Sequence, residues 1–239
     1  MKMMISNSHI NEAMEMKIVA IINAIQDIEG LHIERLGEFS KYINENKIGV
    51  FLTYRQIDIF RKPIFNTEIK IQTYPYDTNS ISGYRQIYFK DQNDQFLIKS
   101  VAFGAFVDLI SGRTVRLPKN AINAINDYKK DSEMELLPRK IDVTNQDFKF
   151  IKEITVEKSK IDRYKHLNNA FYVEYAINLL KDINKYNRIR AEYLKPLVAD
   201  ELVKLSMTKE ENNKVLVKLS NTLDETNAII EFSKVNLSV

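Results

Sequence analysis

The same order of predicted secondary-structure elements occurs twice along the chain, and this repeat restricts the possible folds more than any other feature. In the first half, apolar residues recur at steps of four, three, four and three, the stripe of an amphipathic helix. These residues are Met14, Ile18, Ile21, Ile25 and Ile28. Four strand-like runs follow, at 49–60, 67–73, 83–90 and 95–109. The first half therefore predicts one helix and a set of hairpin-linked strands.

The second half repeats this plan. A strand-like run at 151–161 precedes a helical stripe that ends with Lys181 and Lys185 in its last turns, where lysines suit the helix dipole. The stripe consists of Tyr172, Ala176, Leu179 and Ile183. Strand-like runs follow at 188–193, 201–208, 214–220 and 228–235. One helix and several hairpin-linked strands per half predict an α+β fold with antiparallel sheets.

The segment between the halves has a different composition. It contains Pro118, Pro138, several asparagines and a Lys-Lys-Asp cluster at 129–131. We interpret it as a connection that includes a short helix. The predicted organisation is an N-terminal domain at 1–118, a connection at 119–147 and a C-terminal domain at 148–239.

Composition excludes several kinds of active site. The 239 residues include no cysteine, so disulfides, a cysteine nucleophile and thiolate metal sites are ruled out. The six glycines show no G-x-G or G-x-x-x-x-G spacing, which argues against Rossmann dehydrogenases and P-loop enzymes. The three histidines, His9, His32 and His166, lie at no metal-ligand spacing. The sequence therefore predicts no metal and no cofactor.

Charge and hydropathy indicate neither a nucleic acid nor a membrane as the partner. The net charge is +3, from 35 basic and 32 acidic residues, and so mild a balance does not favour nucleic-acid binding. No segment approaches the roughly 20 apolar residues of a membrane span. The first residues also lack an apolar stretch of signal-peptide length. We expect a cytoplasmic protein.

Candidate catalytic groups concentrate where a predicted strand meets the second helix, at 161–172. Asn168 or Asn169 is a suitable helix N-cap, and Asp162 and His166 lie just before it. Unpaired amides at a helix N-terminus can stabilise a developing oxyanion. A carboxylate, an imidazole and oriented amides suffice for acyl transfer to water. The alternative is a capping asparagine pair beside a surface aspartate and histidine.

The 161–172 stretch resembles the Asp-x-Asn-x-His-Val-Asn-Asn-x-x-Tyr signature of bacterial and plant acyl-acyl carrier protein (acyl-ACP) thioesterases. Further similar segments are Gln26-Asp27, 51–59, 67–75, 83–86 and 116–118. The resemblance implies a tandem hotdog fold, in which each half is a long helix wrapped by an antiparallel sheet. It implies hydrolysis of fatty acyl-ACP to free fatty acid and carrier protein, which ends fatty acid elongation. An acyl-CoA thioesterase and a non-catalytic acyl-thioester binder are the alternatives.

The sequence departs from the family pattern at two places. Tyr164 occupies the position of the family's asparagine, and Pro196 and Leu197 occupy those of a glutamate and, in plants, a cysteine. The stretch also resembles the Asp-x-Tyr-Gly-His-Val-Asn-Asn motif of small hotdog acyl-CoA thioesterases, in which the aspartate is the essential group. Asp162 is therefore the leading candidate for the catalytic residue.

Roles for the other residues follow from the same resemblance and chemistry. Asp162 is expected to be a general base or nucleophile, and the amides near Asn168 and Asn169 to stabilise the oxyanion. His166 either positions the substrate or Asp162, or simply ties the loop. A His-x-Asn occurs at both His9 and His166, but its spacing to the helical stripe differs, which argues against equivalence.

Substrate contacts are predicted around the same junction. Arg163 and Lys165, together with Lys158 and Lys160, could meet the phosphates of CoA or of phosphopantetheine, or the acidic carrier; a solvated strand edge is the alternative. Tyr164 could donate a hydrogen bond, and Tyr172 could line an acyl channel, although such aromatic residues also serve as core. The expected partner is an ACP or CoA thioester. Two hotdog domains in one chain allow a monomer or a homodimer.

Overall fold

The computed structural model describes residues 1–125, 127–131 and 134–237. They form two compact units. The first unit contains Met1–Arg55 and Ile59–Leu136, and the second contains Gln56–Asp58 and the chain from Leu137 onward. The division after Leu136 falls inside the predicted connection at 119–147, whose bounds stay a prediction.

The first unit is an antiparallel sheet with helices packed on it. Its strands are β1 (Lys2–Met4), β2 (Ile48–Ile59, of which Gln56–Asp58 are counted with the second unit), β3 (Glu68–Tyr76), β4 (Ser82–Lys90) and β5 (Phe96–Asp108), in the order β1-β3-β4-β5-β2. Its helices are α1 (Ile18–Glu34), α2 (Gly37–Glu45) and α3 (Lys119–Asn123). The apolar stripe of α1 is buried, with Ile21, Ile22 and Ile25 fully inaccessible. This burial supplies most of the helix's stability.

Two details of the first unit differ from the sequence-based expectation. The helix begins at Ile18 rather than Met14, because Met14 adopts a positive φ of 62° that a helix cannot continue through. The α2 helix was not predicted, and it buries Phe39 and Ile43 against Phe106. The alternation predicted for β3 is confirmed, with Ile69, Ile71 and Thr73 buried.

The second unit has the same plan with a shorter helix. Its strands are β6 (Lys149–Thr155), β7 (Arg188–Tyr193), β8 (Leu202–Met207), β9 (Lys214–Ser220) and β10 (Thr226–Ser233). Their order is β7-β10-β9-β8-β6, and neighbouring strands are antiparallel. The helix is α4 (Asn169–Ile177).

The prediction that the second helix continues to Ile183 is wrong. It ends at Ile177, where the N–H of Asn178 bonds back to the carbonyls of Glu174 and Ala176. The chain then forms a separate 3-10 turn at Ile183–Lys185, capped by the Asp182 carboxylate. Lys181 and Lys185 therefore do not lie in the last turns of an α-helix. The nine residues of α4 contrast with the 17 of α1.

The described residues between Pro118 and Leu136 belong to the first unit and include the expected short helix, α3. The Gln86 side chain donates to the carbonyl of Lys129 and accepts from the N–H of Asp131, both at 2.8 Å. The Asp131 carboxylate also accepts from the Tyr88 hydroxyl at 3.1 Å and pairs with the buried Lys99 ammonium at 3.2 Å. These bonds hold 127–131 against β4 and β5.

A polar cluster lies between α1 and the sheet of the first unit. The Arg85 guanidinium is 3.0 Å from Nδ1 of His32, and Arg55 pairs with Glu29 at 2.8 Å. A guanidinium only donates, so Nδ1 of His32 accepts this bond and carries no proton. Burial, and then the charges of Arg85 and Arg35, lower the pKa of His32 to about 4.

We expect this histidine to make the stability of the protein pH-dependent. The folded-state pKa of about 4 lies below the ordinary 6.5, so the unfolded chain binds the proton more readily. The stabilising effect is present above pH 6.5 and is lost as the pH falls toward 4. Urea unfolding at pH 7 and pH 5 should show a larger loss for the wild type than for His32→Asn. Equal losses in the two proteins would contradict this assignment.

Candidate active site

The predicted site residues lie in a tight loop at 161–168, between a 3-10 turn at Lys158–Lys160 and α4. Oδ1 of Asp162 accepts from the N–H of Tyr164 at 2.8 Å and from the N–H of His166 at 3.2 Å. The N–H of Asp162 donates to the carbonyl of His166 at 2.7 Å. Main-chain groups on both sides of the loop thus hold the aspartate in place.

The local sequence explains this conformation. Ile161 and Leu167 form an antiparallel bridge that closes the loop, and Leu167 is buried. Lys165 takes a positive φ of 65° at the reversal. Of the two N-caps that the sequence allowed, Asn168 and Asn169, the structure has Asn168 as the N-cap of α4. An aspartate whose side chain accepts from amides two and four residues later is a typical stabiliser of such turns.

A second copy of this loop lies in the first unit, at 10–17. There the side-chain oxygen of Asn11 accepts from the N–H groups of Ala13 and Glu15, both at 3.0 Å, and the N–H of Asn11 donates to the carbonyl of Glu15 at 2.9 Å. Met14 has the positive φ of 62° that corresponds to Lys165. Ile10 and Met16 form the closing bridge. The two loops correspond residue for residue.

Comparing the two loops shows which features the loop conformation requires and which it does not. Asn11 supports the first loop as Asp162 supports the second, so the conformation requires only a side-chain oxygen. The first loop has Glu15 at the position of His166 and Lys17 at that of Asn168. The prediction that His9 and His166 are not equivalent is confirmed, since His9 corresponds to Lys160. Of the two loops, only the one in the second unit carries the carboxylate and the imidazole together in these positions.

The start of α4 offers one main-chain donor. The N–H of Asn168 donates to the carbonyl of Lys160 at 3.0 Å. The N–H of Ala170 donates to Oδ1 of Asn168 at 3.0 Å, and that of Phe171 to the Asn168 carbonyl at 2.9 Å. Among the described residues none accepts from the N–H of Asn169. Of the two amides expected to stabilise the oxyanion, those near Asn168 and Asn169, only the N–H of Asn169 is left without an acceptor among the described residues.

The positions of the family's glutamate and cysteine lie beside the loop. The N–H of Leu167 donates to the carbonyl of Leu197 at 2.7 Å, next to Pro196. The buried Asn227, which sequence reasoning missed, accepts from the N–H groups of Leu194 and Lys195 through its carbonyl. This segment therefore supports the 161–168 loop, and neither Pro196 nor Leu197 supplies an acid or a thiol.

Tyr172 is packed in the core at the first turn of α4. Its side chain is 3% exposed, and its hydroxyl accepts from the N–H of Leu197 at 2.8 Å. Burial raises the pKa of Tyr172. Its ring meets that of Tyr193 edge-on at 5.4 Å, and the Tyr193 hydroxyl donates to the carbonyl of Asn169 at 3.2 Å. The two tyrosines anchor the first turn of α4.

Two of the four basic residues predicted to contact the substrate form ion pairs within the chain. Lys158 pairs with Asp200 at 3.2 Å, and Lys160 pairs with Glu157 and Glu174, both at 3.1 Å. Burial lowers the pKa of Lys160, but its hydrogen bonds to the two carboxylates outweigh burial and raise it overall. Arg163 and Lys165 are exposed. Arg163 lies over the Tyr164 ring, 4.9 Å from its centre, and donates to the hydroxyl at 2.8 Å.

The described residues, 1–125, 127–131 and 134–237, include neither a candidate metal site nor a helix that could span a membrane. No group of three or more His, Asp or Glu side chains there could hold a metal ion. No helix within those ranges is both long and apolar enough to cross a membrane.

Comparison with known families identifies the chain. Residues 1–125 match the model of the acyl-ACP thioesterase N-terminal domain, and residues 143–234 match the model of the C-terminal domain. The chain belongs to the acyl-ACP thioesterase family. It is therefore a thioester hydrolase that acts on acyl-ACP. No curated protein sequence matches it.

Solved structures of this family share its fold. An acyl-ACP thioesterase from Bacteroides thetaiotaomicron superposes with a TM-score of 0.86 at 16% identity, covering 98% of this chain and 96% of that one. A putative oleoyl thioesterase from Lactobacillus plantarum gives 0.81 at 16%, over 99% and 96%. The 12:0-ACP thioesterase from Umbellularia californica gives 0.81 at 14%, over 98% and 95%. The predicted double hotdog fold is confirmed, although α4 is short. Location, oligomeric state and site residues stay predictions.

Proposed function

We propose that this acyl-ACP thioesterase hydrolyses its substrate at the 161–168 loop, with Asp162 as the general base. One observation carries the proposal. Oδ1 of Asp162 is held by two main-chain N–H groups, whereas Oδ2 accepts no hydrogen bond from any described residue. One oxygen thus fixes the carboxylate and the other can act on a water molecule. This is the arrangement expected of a positioned base.

The reaction proceeds by attack of water on the thioester carbonyl carbon. Oδ2 of Asp162 takes one proton as the water oxygen bonds to that carbon. The N–H of Asn169 donates to the resulting oxyanion, where a preorganised donor has its largest effect. Collapse of the tetrahedral intermediate breaks the carbon–sulfur bond. The phosphopantetheine thiolate leaves and is protonated, and the products are a free fatty acid and the carrier protein.

This mechanism does not require the two groups that the sequence lacks. Pro196 replaces a glutamate and Tyr164 an asparagine, but the main-chain bonds that hold Asp162 come from Tyr164 and His166 and do not depend on their side chains. The non-catalytic alternative draws its support from the same two substitutions. Turnover therefore decides between them.

The His166 side chain is expected to contribute little to the rate. A thiol has a pKa near 8.5, so a thiolate leaves without needing much general-acid assistance. The contacts between His166 and Asp162 run through main-chain atoms, which His166→Ala retains. We expect the kcat of His166→Ala to lie within about tenfold of the wild type, below the usual range for loss of an acid–base group. A hundredfold loss with an unchanged melting temperature would assign the imidazole a catalytic role.

The exposed Arg163 and Lys165 are the proposed contacts for the carrier. They lie in the loop itself and carry no ion pair to a described residue, so they can meet the phosphate of the phosphopantetheine arm or the acidic carrier surface. The finer preference for carrier over CoA rests on these contacts.

The test is turnover of C8 to C18 acyl-ACP and acyl-CoA thioesters by the full chain. We expect faster hydrolysis of acyl-ACP, with a KM that rises with ionic strength because the carrier contacts are electrostatic. Preference for acyl-CoA would favour the CoA alternative. Binding of acyl thioesters without cleavage would contradict the proposed mechanism and support the binder.

A further inference from the structure

The second unit contains a cavity that the catalytic loop does not use. Its volume is about 500 Å³, within the ordinary range for small-molecule sites. It lies beyond the C-terminal end of α4, whereas the 161–168 loop precedes the N-terminal end. The nine residues of α4 separate the two by roughly 12 Å along the helix axis. The apolar part of its lining consists of Ile151, Leu179, Leu180, Tyr186, Met207 and Val215.

The cavity exists because α4 ends early. Leu179 and Leu180 follow the helix, and both line the space instead of continuing the helical stripe. On the other side, β6 is an edge strand with Ile151 46% exposed. The apolar side chains of the lining suit an aliphatic group.

The rim of the cavity is basic. It carries four lysines, Lys149, Lys181, Lys185 and Lys209, and two acids, Asp182 and Glu210. Both acids are already engaged, since Asp182 accepts from the N–H of Asn184 at 2.9 Å and Glu210 from the Tyr186 hydroxyl at 3.0 Å. None of the four lysines forms an ion pair with another described residue. The rim therefore presents unpaired positive charge around an apolar floor.

We infer that this cavity binds a free fatty acid, with the alkyl tail on the apolar floor and the carboxylate among the rim lysines. The inference rests on the proposed function in one respect, because hydrolysis generates this amphiphile as product. The site is distinct from the catalytic loop and lies within the second unit. A neutral alcohol of equal length lacks the carboxylate and should bind more weakly.

A single tryptophan can report on the cavity directly, since the chain has none of its own. Ile151→Trp places an indole on the lining, at a position already half-exposed. Leu223→Trp is the matched control, because Leu223 is 79% exposed and lies outside the cavity. Sodium dodecanoate and dodecanol, below the micellar concentration of the former, are titrated into each full-length variant while indole emission is recorded.

We expect a saturable change with dodecanoate for Ile151→Trp and none for Leu223→Trp. Adding Lys181→Glu and Lys185→Glu to the reporter should weaken binding on the order of tenfold, because reversed rim charges repel the carboxylate. Lys152→Glu, an exposed β6 lysine outside the cavity, should leave it unchanged. The inference is overturned if dodecanol binds as well as dodecanoate and the charge reversals have no effect. It is also overturned if dodecanoate causes no change and calorimetry detects no binding to the wild type.

Two further comparisons keep the result unambiguous. Should the indole itself fill the cavity, calorimetry of dodecanoate binding to the wild type and to the Lys181→Glu, Lys185→Glu variant tests the same difference. Equal binding by these two proteins overturns the inference. If the protein hydrolyses acyl-ACP but the lysine reversals do not change dodecanoate binding, only the fatty acid site is rejected. If the reversals weaken dodecanoate binding but the protein does not hydrolyse acyl-ACP, only the proposed mechanism is rejected.

Discussion

Asp162→Asn should lower the kcat for acyl-ACP hydrolysis by about a hundredfold or more, the usual effect of losing a general base. An amide cannot take a proton from water at neutral pH, although it has nearly the same shape as the carboxylate. The substitution therefore removes the chemistry of Oδ2 and retains the hydrogen-bond acceptor at Oδ1. Single-turnover and steady-state hydrolysis of acyl-ACP by the variant and the wild type measure the loss.

The first unit supplies the reason to expect an intact loop in this variant. Asn11 already holds the 10–17 loop with the two bonds that Asp162 forms in its own loop. The melting temperature of Asp162→Asn should therefore stay close to that of the wild type. The converse substitution, Asn11→Asp, is the matched control and should leave kcat unchanged. Wild-type turnover by Asp162→Asn would mean that Asp162 is a structural residue only.

Arg190→Met should lower the free energy of unfolding by about 3–5 kcal/mol, because it leaves the buried carboxylate of Glu231 without its partner. Arg190 on β7 faces Glu231 on β10 across the sheet, and their side chains are 7% and 6% exposed. The two ions are 3.0 Å apart, and Arg190 also donates to the carbonyl of Pro138. Urea unfolding at neutral pH measures the change.

The double variant Arg190→Met, Glu231→Leu separates the ion pair from simple loss of packing. With both charges removed, no ion is left unpaired, and the remaining cost is mainly the Pro138 carbonyl, about 1–3 kcal/mol. We expect the double variant to be more stable than Arg190→Met alone. If the loss of unfolding free energy in the double variant equals the sum of the losses in Arg190→Met and Glu231→Leu alone, the pair is not coupled and the assignment fails.

Regular elements could be predicted where burial follows a simple period. The stripe of α1 and the alternation of β3 follow such periods, and the structure confirms both. The ends of the helices were harder to predict from the sequence, because they depend on individual main-chain conformations and hydrogen bonds. Met14 reverses the chain before α1, and α4 ends at Ile177, six residues before the predicted apolar stripe ends at Ile183.

The candidate site was located by sequence because its groups are close neighbours in the chain. Asp162, His166 and the Asn168 cap lie within one loop, so their spacing alone placed them together. Leu197 and Asn227 are distant from the loop in sequence. Leu197 contacts it because its carbonyl accepts from the N–H of Leu167, and Asn227 bonds to the segment just before Leu197. The core position of Tyr172 likewise depends on packing against Tyr193, which a local motif does not report.

By itself, the sequence determined the class of fold, the family resemblance and the loop that carries the carboxylate. These follow from local periodicity and from a short contiguous motif. Tertiary structure alone decided which oxygen of Asp162 is tied, which amide of α4 has no acceptor, and that a cavity with a basic rim lies beyond Ile177. Each of these features depends on hydrogen bonds and packing between residues that are brought together only in the folded chain, and a local sequence pattern does not report such contacts.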